Sequence, residues 1–353
     1  MLNKEEQLLY KRHTLLPEIG ELGQHKFKTA RILMIGAGGL GCPALQYLAG
    51  AGIGHISILD GDKVDASNLQ RQILYDTYDI GKSKADCAAA RLRKMNPFIE
   101  IISLPFHLDR INALNLIGDY DLILDGSDNF ETRYLVNDAC LVKGKPFISG
   151  SVYRFEGQLS VFNYMGGPTY RCLYPEPNDI GNCEETGVLG TLPGTIGCLM
   201  ATEALKIISG SGKVLSGTIL VYDAMHHSFS SFQFSAVDEN RKLTFLLPYE
   251  NTCINDSSEI LPEELQQMIK HQEVFQLIDV REQEEFDEAD IAGTLIPLGT
   301  LEQRATEIRK DIPVIIHCQS GKRSMKAVEL LKKKGYRNVR SLSGGILGYF
   351  KIS

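Results

Sequence analysis

The chain has 353 residues, a formal net charge of −7, 43% hydrophobic residues and 23% charged residues. That length suits two domains in ordinary globular proportions, and an acidic balance without a basic block excludes nucleic acid as the main partner. Eight cysteines, scattered along the chain, are too few for a disulfide scaffold and favour reduced thiols in a cytoplasmic setting.

From the N-terminus, Met1 to Arg12 is charged and has no apolar core, so no secretory signal is read there. Ile32 to Leu59 lacks Asp, Glu, Lys and Arg, and is long enough to span a bilayer. Its glycines at 36, 38, 39, 41, 50, 52 and 54, with Pro43 and His55, instead break it into strand, glycine turn, helix and strand. No membrane partner is expected.

The pattern predicts a strand over Arg31–Ile35, a helix over Leu40–Gly50, a strand over His55–Asp60 and a helix over Lys84–Met95. Further strands follow at Glu100–Leu104, Leu122–Asp125 and Pro146–Ser149. Short apolar strands alternating with helices imply a mostly parallel, Rossmann-like doubly wound α/β sheet. After Gly150 the texture changes: Gly157–Tyr164 and Thr218–Tyr222 read as antiparallel additions, and Thr195–Ser209 as a helix. Pro175–Gly190 has no period and reads as a mobile surface loop. Residues 249–258 are polar and aperiodic, the best linker candidate, with Glu259 at its edge. Beyond lies a smaller α/β domain, 259–353. Its strands are predicted at Val274–Val280, Thr294–Leu298, Val314–Cys318 and Val339–Leu342, and its helices at Pro262–Lys270, Leu301–Arg309 and Ser324–Lys334.

Gly36-Ala37-Gly38-Gly39-Leu40-Gly41 fits G-x-G-x-x-G between a strand and a helix. Such glycines let phosphate approach the backbone at a helix N-terminus, and Asp60, ending the next strand, can accept from ribose hydroxyls. Alone this pattern serves an NAD or FAD oxidoreductase equally well. Ser67-Asn68-Leu69-Gln70-Arg71-Gln72 adds a cation and amides, and Lys84 adds a second cation. Asp62 lies two residues past Asp60, and Asp125-Gly126-Ser127-Asp128-Asn129 follows another apolar strand. A triphosphate undergoing displacement needs Arg, Lys and a metal-binding Asp, whereas a dinucleotide pyrophosphate needs few cations.

With Arg12-His13 and Leu16-Pro17-Glu18-Ile19-Gly20, the glycine run, Ser67 to Gln72, Gly81-Lys82-Ser83-Lys84 and Asp128-Asn129, the chain from about residue 5 to 248 resembles the MoeB/ThiF family. These are bacterial relatives of ubiquitin-activating enzymes. The resemblance implies ATP-dependent adenylation of the C-terminal carboxylate of a ubiquitin-like sulfur carrier ending in Gly-Gly. It implies that Asp60 binds ribose, that Arg71 and Lys84 neutralise phosphates, and that Asp128 holds Mg²⁺. Arg12 would reach the phosphates of a neighbouring subunit in a homodimer. Asp62, Ser67, Asn68, Gln70 and Asn129 complete the expected ATP set.

Cys183 lies in the predicted loop and matches the family cysteine that bonds covalently to the activated carrier. Many relatives bind a structural zinc through two C-x-x-C pairs. Here the first pair keeps only Cys172, with Thr169 at its leading position, and near the second only Cys253 is found. Tetrahedral zinc needs four ligands, so none is expected. Cys42, Cys87, Cys140 and Cys198 fall in apolar or helical contexts and read as core.

In Val314-Ile315-Ile316-His317-Cys318-Gln319-Ser320-Gly321-Lys322-Arg323-Ser324, an apolar strand ends in a cysteine, a short loop and a helix. Backbone N–H groups of such a turn and the helix N-terminus favour an anionic sulfur. Together with Ile278-Asp279-Val280-Arg281-Glu282, Glu285-Phe286, Ile291-Ala292-Gly293 and Leu342-Ser343-Gly344-Gly345, residues 259–353 resemble a rhodanese. The resemblance implies that Cys318 takes sulfur from a persulfide donor such as a cysteine desulfurase and delivers it. Asp290 stands where a His is usual and Tyr349 where a Trp is usual. Asp279 and Arg281 read as fold-stabilising. A phosphatase loop is the rival, but Cys318 to Arg323 is one residue short of C-x5-R.

The expected function is carrier adenylation followed by sulfur transfer to a thiocarboxylate, of the molybdopterin or thiamine type. An NAD or FAD oxidoreductase with an appended rhodanese, and an inactive scaffold, remain the alternatives.

Overall fold

The computed structural model describes residues 2–175, 187–244, 246, 258–270, 274–310, 312–336 and 338–350. The chain divides into two compact units, Met1–Tyr249 and Glu250–Ser353.

Unit one opens with three helices, α1 (Lys4–Leu9), α2 (Lys11–Thr14) and α3 (Gly20–Thr29). The alternation then runs β1 (Arg31–Ile35), α4 (Gly41–Ala51), β2 (His55–Leu59), α5 (Lys84–Met95), β3 (Glu100–Leu104), α6 (Ala113–Gly118), β4 (Leu122–Asp125), α7 (Phe130–Lys143) and β5 (Phe147–Tyr153). It closes with β6 (Glu156–Phe162), α8 (Tyr170–Leu173), α9 (Thr191–Ser209), β7 (Thr218–Asp223) and β8 (Ser228–Gln233). The eight strands lie in the order β3-β2-β1-β4-β5-β6-β7-β8. The first five are parallel and the rest antiparallel, as the alternation predicts.

Strand side chains alternate between two cores. Ile32, Met34, Ile56, Ile58, Leu122 and Leu124 fill one face of the sheet. Leu33, Ile35, Leu59 and Ile123 fill the other. Burial on both faces is why these strands read as continuous apolar runs. The charge-free stretch folds as β1, glycine turn, α4 and β2, and among the described residues no helix is long and apolar enough to cross a membrane.

Several elements depart from the sequence expectation. The helix α7 lacks a clear apolar period because its buried face includes Arg133, Asn137 and Asp138. Tertiary partners satisfy two of them: Asp138 accepts from Arg171 at 2.9 and 3.0 Å, and Asn137 Oδ1 accepts from the Tyr170 N–H at 2.8 Å. The helix α9 starts one turn before Thr195, because Pro193 in its first turn lacks only an N–H that has no intrahelical partner there. β5 runs on to Tyr153 because it pairs with β6. β8 is an exposed edge strand whose polar sequence carries no core pattern. Of the expected 175–190 loop, 176–186 lie outside the described residues, and Val188 bridges to Arg154.

Unit two carries β9 (Glu259–Ile260), α10 (Pro262–Lys270), β10 (Gln276–Asp279), α11 (Gln283–Glu288), β11 (Thr294–Leu295), α12 (Leu298–Arg304), β12 (Val314–His317), α13 (Lys322–Lys333), β13 (Val339–Leu342) and α14 (Gly345–Phe350). Its parallel sheet has the order β11-β10-β12-β13-β9. Ile278 and Ile316 feed one core and Leu277, Ile315 and Leu342 the other. Most of the expected linker, residues 249–257, lies outside the described residues, and Glu259 already pairs with Ser341. β11 is shorter than expected because Pro297 caps α12. α12 accordingly starts at Leu298 rather than Leu301 and ends in a 3-10 turn, Ala305–Glu307.

Candidate functional site

The strand order reverses between β1 and β4, and open α/β sheets bind ligands at the carboxyl ends of strands beside that point. A cavity of about 620 Å³ lies there. From the expected set, Gly36, Gly38, Gly39, Asp60, Asp62, Ser67, Gln70, Arg71, Lys84, Asp128 and Asn129 line it. Three members do not. Gly41 sits at the start of α4, where a Cβ would lie 2.0 Å from the Gly36 carbonyl oxygen, so only glycine lets the turn close. Asn68 belongs to a short 3-10 turn and its carbonyl accepts from the N–H groups of Arg71 and Gln72. Arg12 is exposed on α2, away from this chain's own cavity lining.

Asp60 ties the cavity floor together. Its Oδ2 accepts from the Ala37 N–H at 2.8 Å and its Oδ1 from the Asp62 N–H at 2.9 Å. Each oxygen keeps a second lone pair for a hydroxyl donor. Burial pushes this carboxyl up, against Lys84 and the two N–H groups, which pull it down. Lys84 is buried and donates to Asp62 at 2.9 Å. Arg71 donates to the Ser67 carbonyl at 3.2 Å. The Ser67 hydroxyl is held by Asp65, and the Asn129 side chain caps α7 by accepting from the Thr132 N–H at 2.8 Å. Asp128 is exposed.

Sequence reasoning missed part of this lining. Arg133 donates to the Ser127 carbonyl at 2.9 Å. Gln72 is buried, and its Oε1 has no hydrogen-bond partner. His107, Tyr153 and Arg154 also line the cavity. Gln72 belongs to the run Ser67–Gln72, but nothing local marks the others. They reach the cavity only when β3, β4 and β5 come together.

The donor set fits an ATP-type ligand: glycine backbone, two cations at the sheet edge and a carboxylate for ribose. Among the described residues no group of three His, Cys, Asp or Glu could hold a metal by itself. Mg²⁺ uses one or two carboxylates with phosphate oxygens and keeps several waters, so Asp128 fits it without a protein cage.

In unit two, Cys318 follows β12 and its side chain is buried. Its Sγ accepts from the Gly321 N–H at 3.2 Å and the Ser324 N–H at 3.4 Å. The Ser324 hydroxyl lies 3.5 Å away. Gly321 turns the loop at φ +93°, a conformation that favours glycine. The helix α13 begins at Lys322, two residues before Ser324, which brings its N-terminus onto the loop. Burial pushes the Cys318 thiol up, but the Ser324 hydroxyl and the N–H groups of Ser324, Ser320 and Arg323 outweigh it and hold the thiol below its ordinary value. Arg323 is forked onto Glu285 at 2.6 Å through both nitrogens, and these bonds hold Glu285 down at about 2. Gln319 lies 3.4 Å from buried Arg281, which also binds Asp279, in keeping with a fold-stabilising role for that pair. Asp290 is exposed and Tyr349 half-buried.

His317, one residue before the cysteine, is fully buried, and neither ring nitrogen has a hydrogen-bond partner. It lies 3.8 Å from Asp279, yet burial pushes its pKa down from 6.5 to about 4, against the pull of Asp279. The ring is therefore neutral at physiological pH and forms no ion pair. Unfolding exposes a histidine that binds a proton more readily, so protonation favours the unfolded state. Stability should be lost as pH falls from 6.5 towards about 4, by about 3 kcal/mol from this residue. Denaturant titrations across that window should show a steeper loss in the wild-type chain than in His317→Phe. Equal slopes would refute the assignment.

Cys183 and Cys253 lie outside the described residues. The Cys172 Sγ accepts from the Val237 N–H at 3.2 Å and lies 3.3 Å from the Thr169 hydroxyl. Elemental analysis of the purified chain should give no stoichiometric zinc, and one tightly held zinc per chain would overturn that expectation. Cys42 and Cys140 are buried core residues and half-buried Cys87 packs against the same core as Cys42, whereas Cys198 is only half-buried.

A glycine-loop cavity at the switch point of one α/β unit, and an anion-stabilising cysteine loop in another, define a nucleotide-using activating enzyme with a sulfur-handling domain. Comparisons with known proteins agree. The model of the ThiF family matches residues 10–243, and that of the rhodanese-like domain matches 261–351. The chain belongs to the ThiF family and carries a C-terminal rhodanese-like domain. It is 42% identical to the probable adenylyltransferase/sulfurtransferase MoeZ of Mycobacterium tuberculosis, over 99% of this chain and 94% of that protein. It is 40% identical to a probable molybdopterin-synthase adenylyltransferase of Porphyra purpurea, over 99% and 94%. The solved structure of E. coli MccB with ATP shares the fold at TM-score 0.57 and 20% identity, covering 63% of this chain and 69% of that one.

Proposed function

We propose that the chain adenylates the C-terminal carboxylate of a ubiquitin-like sulfur carrier ending in Gly-Gly and then converts it to a thiocarboxylate. It is an adenylyltransferase and a sulfurtransferase. One observation carries the reading: Asp60, Arg71, Lys84 and Asp128 line a single cavity around the glycine turn, in the same chain as a cysteine loop built for an anionic sulfur.

ATP lies with its phosphates against Gly36, Gly38 and Gly39 and its ribose on Asp60. Arg71 and Lys84 face the phosphates. Asp128 would hold Mg²⁺, which would supply charge neutralisation at the phosphates. The carrier carboxylate attacks the α-phosphorus, and pyrophosphate leaves with the bonding electron pair. Arg12 completes the site of a neighbouring subunit in a homodimer. Cys183 captures the acyl group as a thioester, releasing AMP. Cys318 receives a sulfane sulfur from a persulfide donor such as a cysteine desulfurase. Its persulfide attacks the acyl carbon and displaces the Cys183 thiolate, and a thiol reductant then cleaves the S–S bond of the acyl disulfide to free the thiocarboxylate. The adenylating domain spans 1–248, the linker 249–258 and the sulfurtransferase domain 259–353. The setting is cytoplasmic. The name of the Porphyra relative favours molybdopterin over thiamine as the product line.

The test is ATP–pyrophosphate exchange by the full chain with a Gly-Gly-ended carrier. Exchange should require the carrier. Exchange independent of it, or nicotinamide- or flavin-linked turnover instead, would sink the reading in favour of the oxidoreductase alternative.

A further inference from the structure

We propose that Arg154 binds the C-terminal carboxylate of the incoming carrier at the adenylation cavity. The proposal rests on the adenylation reading above and adds the residue that meets the second substrate.

Tyr153 pairs with Glu156, so Arg154 and Phe155 form a two-residue hairpin loop between β5 and β6. Arg154 has φ +53°. The left-handed region is costly for a branched-chain-free but bulky side chain, and hairpins of this length favour glycine or asparagine there. Strained residues of this kind cluster at functional sites. The loop is held on several sides. Leu189 N–H donates to the Arg154 carbonyl at 3.1 Å, and Ala224 N–H to the Phe155 carbonyl at 2.8 Å. Gly157 brings β6 so close to α9 that a Cβ would lie 2.4 Å from Ile196.

Arg154, at this fixed point, lines the nucleotide cavity. Its guanidinium lies 5.3 Å from the Tyr153 ring centroid and makes no ion pair among the described residues. The other cations of the cavity are engaged: Lys84 with Asp62, Arg71 with the Ser67 carbonyl, and Arg133 with the Ser127 carbonyl. Adenylation joins two anions, since the carboxylate oxygen must bond to phosphorus while the bond to the bridging oxygen breaks. No proton moves. A carboxylate approaching a triphosphate needs a cation of its own, and the planar guanidinium fork matches a carboxylate in a bidentate pair. Tyr153 and Phe155 are both exposed beside it and offer apolar surface to the backbone of an extended tail.

The experiment compares Arg154→Gly and Arg154→Lys with the wild-type full chain in carrier-dependent ATP–pyrophosphate exchange, using a carrier ending in Gly-Gly. Glycine accepts φ +53° without strain, so Arg154→Gly removes the guanidinium and its melting midpoint should not fall. The carrier KM should rise about 10- to 100-fold, as for a lost hydrogen-bonded charge contact. The ATP KM should stay unchanged, and Arg154→Lys should recover part of the carrier affinity. An unchanged carrier KM in Arg154→Gly, or a rise in ATP KM in its place, overturns the proposal. So does a lowered melting midpoint that Arg154→Lys fails to restore, which marks a structural residue. A wild-type chain without carrier-dependent exchange sinks the adenylation reading, and the proposal with it. Those outcomes are distinguishable because only the last involves the wild type.

Discussion

Replacing Cys318 by alanine is expected to abolish sulfurtransferase activity and leave adenylation intact. Cys318 is the sulfur that the loop N–H groups of Gly321 and Ser324 address. Its thiol is held below the ordinary value, so the thiolate persists to lower pH than in a free cysteine. Sulfur uptake from thiosulfate or a persulfide donor should therefore extend further to acid than for an ordinary thiol. Adenylation should survive because its residues lie in Met1–Tyr249 and Cys318 lies in Glu250–Ser353. Cys183→Ala should spare both half-reactions and slow only the joined reaction. Mass spectrometry of the carrier reads the joined reaction directly, because exchanging the terminal –OH for –SH adds about 16 Da. Wild-type thiocarboxylate formation by Cys318→Ala, from a persulfide donor alone, would show that the C-terminal domain is not the relay.

Arg71→Ala should lower carrier-dependent ATP–pyrophosphate exchange by roughly 100- to 1,000-fold, or about 2.7–4 kcal/mol, the cost of one lost contact to transition-state charge. Lys84→Ala should do the same. Arg71 is the cleaner variant, because it donates to a single backbone carbonyl at 3.2 Å. Lys84 also draws down the carboxyl of Asp60 and binds Asp62, so its removal disturbs the ribose contact as well. Asp128→Ala should act through Mg²⁺ and be partly offset by raised Mg²⁺. A chain with both cations removed that still exchanges at the wild-type rate would place the phosphates elsewhere. Unchanged melting midpoints in Arg71→Ala and Asp128→Ala would assign the loss to chemistry, since a half-buried or exposed side chain outside the core contributes little to stability.

The legibility of each residue follows from how far its signal travels along the chain. The glycine turn, Asp60 and the Cys318 loop were readable because each is a local strand–turn–helix device, with its spacing set by backbone geometry. The helix α7 was not readable, because its buried Asn137 and Asp138 are satisfied by Tyr170 and Arg171, more than thirty residues away. β8 was unreadable for the opposite reason: an exposed edge strand needs no apolar face.

By itself the sequence determined the parallel sheet, the order of its chemistry and the two kinds of site, because apolar period and glycine spacing are local consequences of backbone geometry. Only the tertiary structure decided which side chains meet. Pairing of β1 with β4 opens the crevice in which Arg71, Lys84 and Asp128 converge. The β5–β6 hairpin, held by Leu189, Ala224 and the approach of α9, brings Arg154 to the same cavity. The pairing of β10 with β12 sets Asp279 beside His317 and buries an imidazole without a partner. Such meetings depend on contacts distant in sequence, and desolvation and charge are set by those contacts rather than by neighbours along the chain.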